Sequence, residues 1–132
     1  MDELDFVGET VARMKDLYGL AGHHEVIRRT IISRIYYSAH HLSRYLLMRL
    51  GLLPETWRMN IHQRVSDEIR RQFVVTNLMD RDIFSFLEFM RRSRVRADYQ
   101  LHLTISEENV ENMFERFDAY LNECRQVLEV IP

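Results

Sequence analysis

Ile27-Arg28-Arg29-Thr30-Ile31-Ile32-Ser33-Arg34-Ile35-Tyr36-Tyr37-Ser38-Ala39-His40-His41-Leu42-Ser43-Arg44-Tyr45-Leu46 is the stretch that decides the fold. Ile27, Ile31, Ile35, Leu42, Tyr45 and Leu46 fall at intervals of three, four and seven, the repeat of one helical face. The spacing predicts a long helix from near His24 to Arg49 or Leu50, closed by Gly51. Upstream, Leu4, Val7, Val11, Met14 and Tyr18 predict a helix over about Glu3 to Tyr18. The two glycines of Gly19-Leu20-Ala21-Gly22 suit its stop. Downstream, Leu52 to Arg58 with Pro54 reads as a loop. Asn60 is placed to cap a helix over about 61–76 that turns Val65, Ile69 and Phe73 inward and ends at Asn77. Asp80 is placed to cap the next, whose stripe is Ile83, Phe84, Leu87, Met90, Arg94, Ala97 and Leu101. Ser106-Glu107-Glu108 opens the last, with a capping hydroxyl and two acids on the positive end of the helix dipole. Its inner face is Val110, Met113, Phe114, Phe117, Leu121 and Leu128. The expected architecture is all-α: an antiparallel helical bundle of four long helices plus a shorter one, forming a single domain over 1–132.

Composition agrees. A chain of 132 residues, 46% hydrophobic, can bury roughly 68% of its unfolded surface and needs no disulfide or structural metal. Cys124 is the only cysteine, so an internal disulfide framework and a cysteine zinc cage are excluded, and a reducing, cytoplasmic setting is expected. No apolar run approaches the roughly 18 to 20 residues of a membrane span. Met1-Asp2-Glu3-Leu4-Asp5 is acidic, unlike a secretory signal. Four glycines and two prolines do not suit an all-β fold rich in tight turns.

The net charge of −2 hides a division along the chain. Residues 1–25 carry six acids against two bases, 26–54 five arginines and no acid, 55–102 nine arginines against seven acids, and 103–132 seven acids against two bases. Lys15 is the only lysine, and an arginine fork suits bidentate contact with phosphate or carboxylate. Either the basic middle pairs with the acidic terminal helices, or it forms a face for nucleic acid.

Several chemistries fail on residue type. There is no Gly-rich phosphate loop, and no pair of Glu-x-x-His turns for a di-iron site. Adjacent histidines on a helix point about 100° apart, so His23-His24 and His40-His41 do not chelate one ion as helix neighbours. Cys124 reads as a small core or boundary residue. No metal or cofactor is expected.

The run Arg91-Arg92-Ser93-Arg94-Val95-Arg96-Ala97-Asp98-Tyr99-Gln100-Leu101-His102 stands out. Arg94 falls on the apolar stripe, where a charge is costly unless paired or open to a cleft. Asp98 follows four residues on and His102 four beyond that. In an unbroken helix the three share a face about 80° wide, with Arg96 on a different side. Two readings stand: a structural Arg94–Asp98 pair with Tyr99 packing and His102 at a fraying end, or a cationic site with a titratable histidine suited to a phosphodiester.

From about residue 27 to 130 the chain resembles the HEPN domains (higher eukaryotes and prokaryotes nucleotide-binding), especially the small stand-alone prokaryotic ones. Carrying the resemblance are Tyr36-Tyr37-Ser38-Ala39-His40-His41, Gly51, Ile61-His62 and Arg94-x-x-Ala97-Asp98-Tyr99 before a last amphipathic helix. Active members look like metal-independent ribonucleases marked by an Arg followed, after four to six residues, by a His, which Arg96 and His102 match. Members with the Arg-x-x-Ala-Asp-Tyr run but no such His make Arg94 the matching arginine. Active members usually have a small polar residue after the arginine, where this chain has Ala97 or Val95, and the position of His40 more often holds an aromatic.

The resemblance implies catalytic roles for Arg96 or Arg94 at the phosphate, for His102 in proton transfer and for Asp98 in orienting either. The RNA would supply its own 2′-OH nucleophile and leave a 2′,3′-cyclic phosphate. Tyr99, His62, Tyr37 and His41 are the substrate-binding candidates. Tyr36 and Tyr37 lie on successive faces, one suited to pack inward and the other to point at a groove. Trp57 reads as a lid on the core, and Arg28-Arg29 and Arg70-Arg71 as solvated faces. A homodimer with both motifs facing one cleft is implied. The functional classes are then an RNA-cleaving toxin or defence enzyme, a nucleotide- or RNA-binding module that pairs with a minimal nucleotidyltransferase, and a structural dimerisation domain.

Overall fold

A computed structural model describes residues 1–132. The chain is all-helical: α1 (Glu3–Ala21), α2 (Glu25–Arg49), a single 3-10 turn (Pro54–Thr56), α3 (Ile61–Ile69) continued by a π-helical turn (Arg70–Val74), α4 (Arg81–Tyr99) and α5 (Glu107–Val130). α2 is central and packs against α1, α3, α4 and α5, while α4 also packs on α5. The five helices bundle around one contiguous core, in which Ile31, Ile35, Leu42 and Leu46 of the deciding stretch are fully buried. No helix is long and apolar enough to cross a membrane.

The helix ends follow local chemistry. Asp80 accepts the backbone N–H groups of Asp82 and Ile83, and Ser106 forms a capping box with Asn109, as their side-chain types demand. Asn60 departs from expectation: it precedes α3 but sits at φ 50 and makes no side-chain cap. Its short polar side chain tolerates the left-handed turn out of the Leu52–Arg58 segment, which serves the chain path instead. α1 runs through Gly19 to Ala21, three residues past the expected stop. Gly22 follows as its C-cap, where a Cβ would lie 2.5 Å from the Tyr18 ring, so the close approach requires glycine. Gly51 closes α2 at φ +87, a conformation that favours glycine.

The largest difference lies at the end of α4. The apolar stripe predicts helix through Leu101, yet α4 stops at Tyr99 and Leu101 is 74% exposed. Arg29 explains the stop. Its guanidinium, 12% exposed, donates to the carbonyls of Arg96, Ala97 and Leu103 and pairs with Glu25 at 3.0 Å. It thereby takes up the Ala97 and Leu103 carbonyls and shares that of Arg96 with the Gln100 N–H. Arg28 donates to the carbonyls of Ile105 and Gly22. These two arginines are therefore clasps on the 100–105 turn, not the solvated face expected of them. Arg70 and Arg71 do face solvent, the latter pairing with Glu68.

Charge is likewise used differently from the expected pairing of a basic middle with acidic ends. Most ion pairs are local steps along one helix, such as Arg13 with Glu9 and Asp16, and only Lys15–Asp118 and His41–Glu3 join two helices. Among the other arginines, Arg28 and Arg49 donate to carbonyls, and Arg64 lies over Trp57 at 4.3 Å. Trp57 is half-buried against the core, and Cys124 is buried beside Tyr120, whose hydroxyl hydrogen-bonds Ser43 at 2.6 Å.

Candidate functional site

Three helices bring the polar residues together. α4 projects Arg94 and Asp98 from successive turns of one face; Arg94 Nε lies 2.9 Å from Asp98 Oδ2, close as charges but without hydrogen-bond alignment. α2 supplies Ser33 and Tyr37, also one turn apart. Ser33 donates to Asp98 at 3.1 Å, and the Tyr37 hydroxyl accepts from Arg94 Nη2 at 2.9 Å. Tyr99 accepts from the same nitrogen at 3.4 Å, and the guanidinium carbon sits 5.2 Å from both tyrosine ring centres. Nη1 keeps no partner within the chain. Tyr99 is 68% exposed. A groove of ≈ 480 Å³ lined by Ser33, Tyr37, Asp98, Arg29 and Arg34 runs beside it.

The histidines of the cluster come from α2 and α3. His62 Nδ1 is hydrogen-bonded to the Tyr36 hydroxyl at 2.6 Å, and its ring meets Tyr37 edge-on at 5.8 Å. That bond fixes the imidazole and leaves Nε2 without a partner. Partial burial, with Arg91 and Arg94 nearby, lowers the His62 pKa, so the ring is neutral at pH 7. His40, tilted against His62 at 4.3 Å, is pushed down to about 3 by burial, with His62, Arg44, His41 and Arg91 adding. Tyr36 is buried and raised to about 12, again chiefly by burial. Arg91 is anchored by Gln63 at 2.9 Å. The arrangement joins two cations, a neutral imidazole and a half-buried phenol, which suits holding an anion and accepting a proton.

The remaining candidates lie elsewhere. Because α4 stops at Tyr99, His102 leaves the helical face it was expected to share with Arg94 and Asp98; it is exposed in the following turn and makes no hydrogen bond. Arg96, two residues and about 200° from Arg94, is exposed and lines a different groove with Arg91, Arg92 and Gln100. His41 faces α1, pairing with Glu3 at 3.1 Å and meeting Phe6 edge-on. Of the adjacent tyrosines, Tyr36 packs inward and Tyr37 reaches the groove. No three His, Cys, Asp or Glu side chains come together as metal ligands, including those around His23-His24 and His40-His41.

Ser33 and Arg91 are not among the site candidates named from the sequence, and His40 enters there only as half of a histidine pair and as a position that departs from the resembled family. The signal was there: Arg29, Ser33, Tyr37 and His40 form a polar line at helical spacing beside the apolar stripe of α2.

No family model matches the chain. A relative from Methanocaldococcus jannaschii, named "Putative toxin MJ0142", is 27% identical over 97 residues, which cover 74% of this chain and 63% of that protein. The chain thus spans less than two thirds of that relative's length, and its similarity is to a protein named as a toxin.

Proposed function

We propose that the protein is a toxin-type HEPN domain that acts on RNA, cleaving it without a metal at the Arg94–Tyr37–His62 cluster. The observation that carries the reading is the partner-free Nη1 of Arg94, held in place by Asp98, Tyr37 and Tyr99 beside a neutral, tethered imidazole. Arg94 and Arg91 hold the non-bridging phosphate oxygens as negative charge builds. His62, with its Nδ1–H donated to Tyr36, takes the proton of the 2′-OH at Nε2; the 2′-oxygen bonds to the adjacent phosphorus as the P–O5′ bond breaks, and the 5′-oxygen takes a proton from water, leaving a 2′,3′-cyclic phosphate and a 5′-OH. Tyr99, the most exposed ring of the cluster, stacks a base. The name of the archaeal relative supports the toxin part of the reading.

Cleavage of an end-labelled single-stranded RNA in excess EDTA tests this. The expected result is a cyclic-phosphate product from the wild type, reduced by about 10²–10⁴ in His62→Ala and largely retained in His102→Ala. Loss in His102→Ala and Arg96→Ala, with His62→Ala active, would move the chemistry to the Arg96–His102 pair.

The fixed state of Arg94 favours a second reading. A guanidinium already fixed by Asp98, Tyr37 and Tyr99 suits a module that binds RNA or a nucleotide without turnover, as a homodimer or beside a minimal nucleotidyltransferase. Binding without cleavage in the same experiment would select it.

A further inference from the structure

A groove of ≈ 520 Å³ runs between α4, the π-helical turn and α5, on a different side of α4 from Arg94. Arg70, Arg81, Arg92 and Arg116 line it. None of the four pairs with a carboxylate or donates a hydrogen bond within the chain. The chain carries 20 Asp and Glu, yet this groove gathers four arginines against one acid. Glu88 is the only acid in the lining, and its carboxylate is taken by the Ser66 hydroxyl. Arg116 is held without a counter-ion, its guanidinium 4.7 and 4.9 Å from the Phe86 and Phe89 ring centres.

Spacing and floor define what would fit. Arg81 and Arg92 are eleven residues apart, so they lie within about 20° on α4 and ~16 Å along it. That spread exceeds the reach of one small anion and suits an extended one. Five of the eleven lining residues are hydrophobic, and Val75 is 67% exposed at the rim. A polynucleotide would set sugars and phosphates against this floor, whereas an amphipathic peptide covers it with apolar side chains and offers carboxylates to the arginine forks.

We propose that this groove docks an acidic amphipathic segment of a partner protein, its apolar side chains on the exposed Val75 and the half-buried Phe86 and Phe89 and its carboxylates on Arg70, Arg81, Arg92 and Arg116. The interaction is separate from the Arg94 cluster and requires no turnover there.

Fluorescence anisotropy tests it, with a labelled glutamate-rich peptide of about ten residues, leucine or phenylalanine at every third or fourth position, and a helical length of ~15 Å. The expected result is saturable binding by the wild-type protein, weakened at least about tenfold by Arg70→Glu with Arg92→Glu, since placing like charges against the peptide is repulsive. Both residues are exposed and unpartnered, so a helical circular-dichroism signal and melting profile matching the wild type accompany the loss. A glutamate peptide without apolar residues binds more weakly, and its lysine counterpart does not bind. Absence of peptide binding by the wild type, or binding untouched by the double reversal, would overturn the proposal. So would a single-stranded RNA of equal charge that binds as tightly and loses affinity in the same double variant.

Discussion

Arg94 and Arg96 stand two residues apart on one helix, yet Arg94 is held by Asp98, Tyr37 and Tyr99 while Arg96 makes no side-chain bond. The same contrast separates His62, tethered to Tyr36, from His102, free in the turn after α4. Both pairs carry residue types suited to a phosphodiester. Only the first is fixed by neighbouring helices before a substrate arrives, and a catalytic group gains from being held in geometry in advance. Two things separate them: Arg96 lies about 200° around α4 from Arg94, and His102 falls past the end of α4 at Tyr99.

The comparison breaks most sharply at Asp98. Asp98→Ala leaves Arg94 half-buried without its counter-charge and Ser33 without its acceptor, with an expected loss of about 2–3 kcal/mol in chemical denaturation. A loss under about 0.5 kcal/mol would mean that Arg94 is solvated and no more fixed than Arg96.

The histidines add a pH dependence. His40 is held down to about 3 and His62 is also lowered, against an unfolded value of about 6.5. Between those values the unfolded chain binds more protons, so stability is full above pH 6.5 and falls as pH drops toward 3. The contribution of His40 is about 1 kcal/mol per pH unit within that window. His40→Phe, which keeps a ring against His62, flattens the slope in denaturation curves taken at pH 7, 6 and 5. An unchanged slope would show that burial at His40 does not govern it.

Arg29 sharpens the contrast from the other side. Arg29→Ala leaves the carbonyls of Ala97 and Leu103 without their donor and that of Arg96 with Gln100 alone, with an expected cost of about 1–2 kcal/mol and faster amide hydrogen exchange across 100–105 than across the Arg94 turn. Uniform exchange would show that the turn is fixed by something else. The smallest effect is expected at His102→Ala, within about 0.5 kcal/mol of the wild type.

Much of this was legible in the sequence. The five helices follow from apolar spacing, and Asp80 and Ser106 mark their own helix starts. The Arg94–Asp98 pair follows from one charge on an apolar stripe with its opposite four residues later. The end of α4 was not legible, because Leu101 continues the stripe while the group that stops the helix, Arg29, lies 67 residues away from the carbonyl of Arg96 it binds. For the same reason the spacing of Arg96 and His102 could not reveal that a helix end falls between them. His62 could be named as a cleft residue but not joined to Tyr36 and Arg91, since those contacts depend on how α3 crosses α2 and α4.

The most direct test follows the imidazole resonances of His62 and His102 by NMR while a 2′-deoxy oligonucleotide, which cannot be cleaved through a 2′-OH, is added. The account predicts that His62 titrates below 6.5 in the free protein and that its resonances move on binding while those of His102 stay in place. Movement of His102 with His62 unchanged would contradict it and put the functional site in the turn after α4.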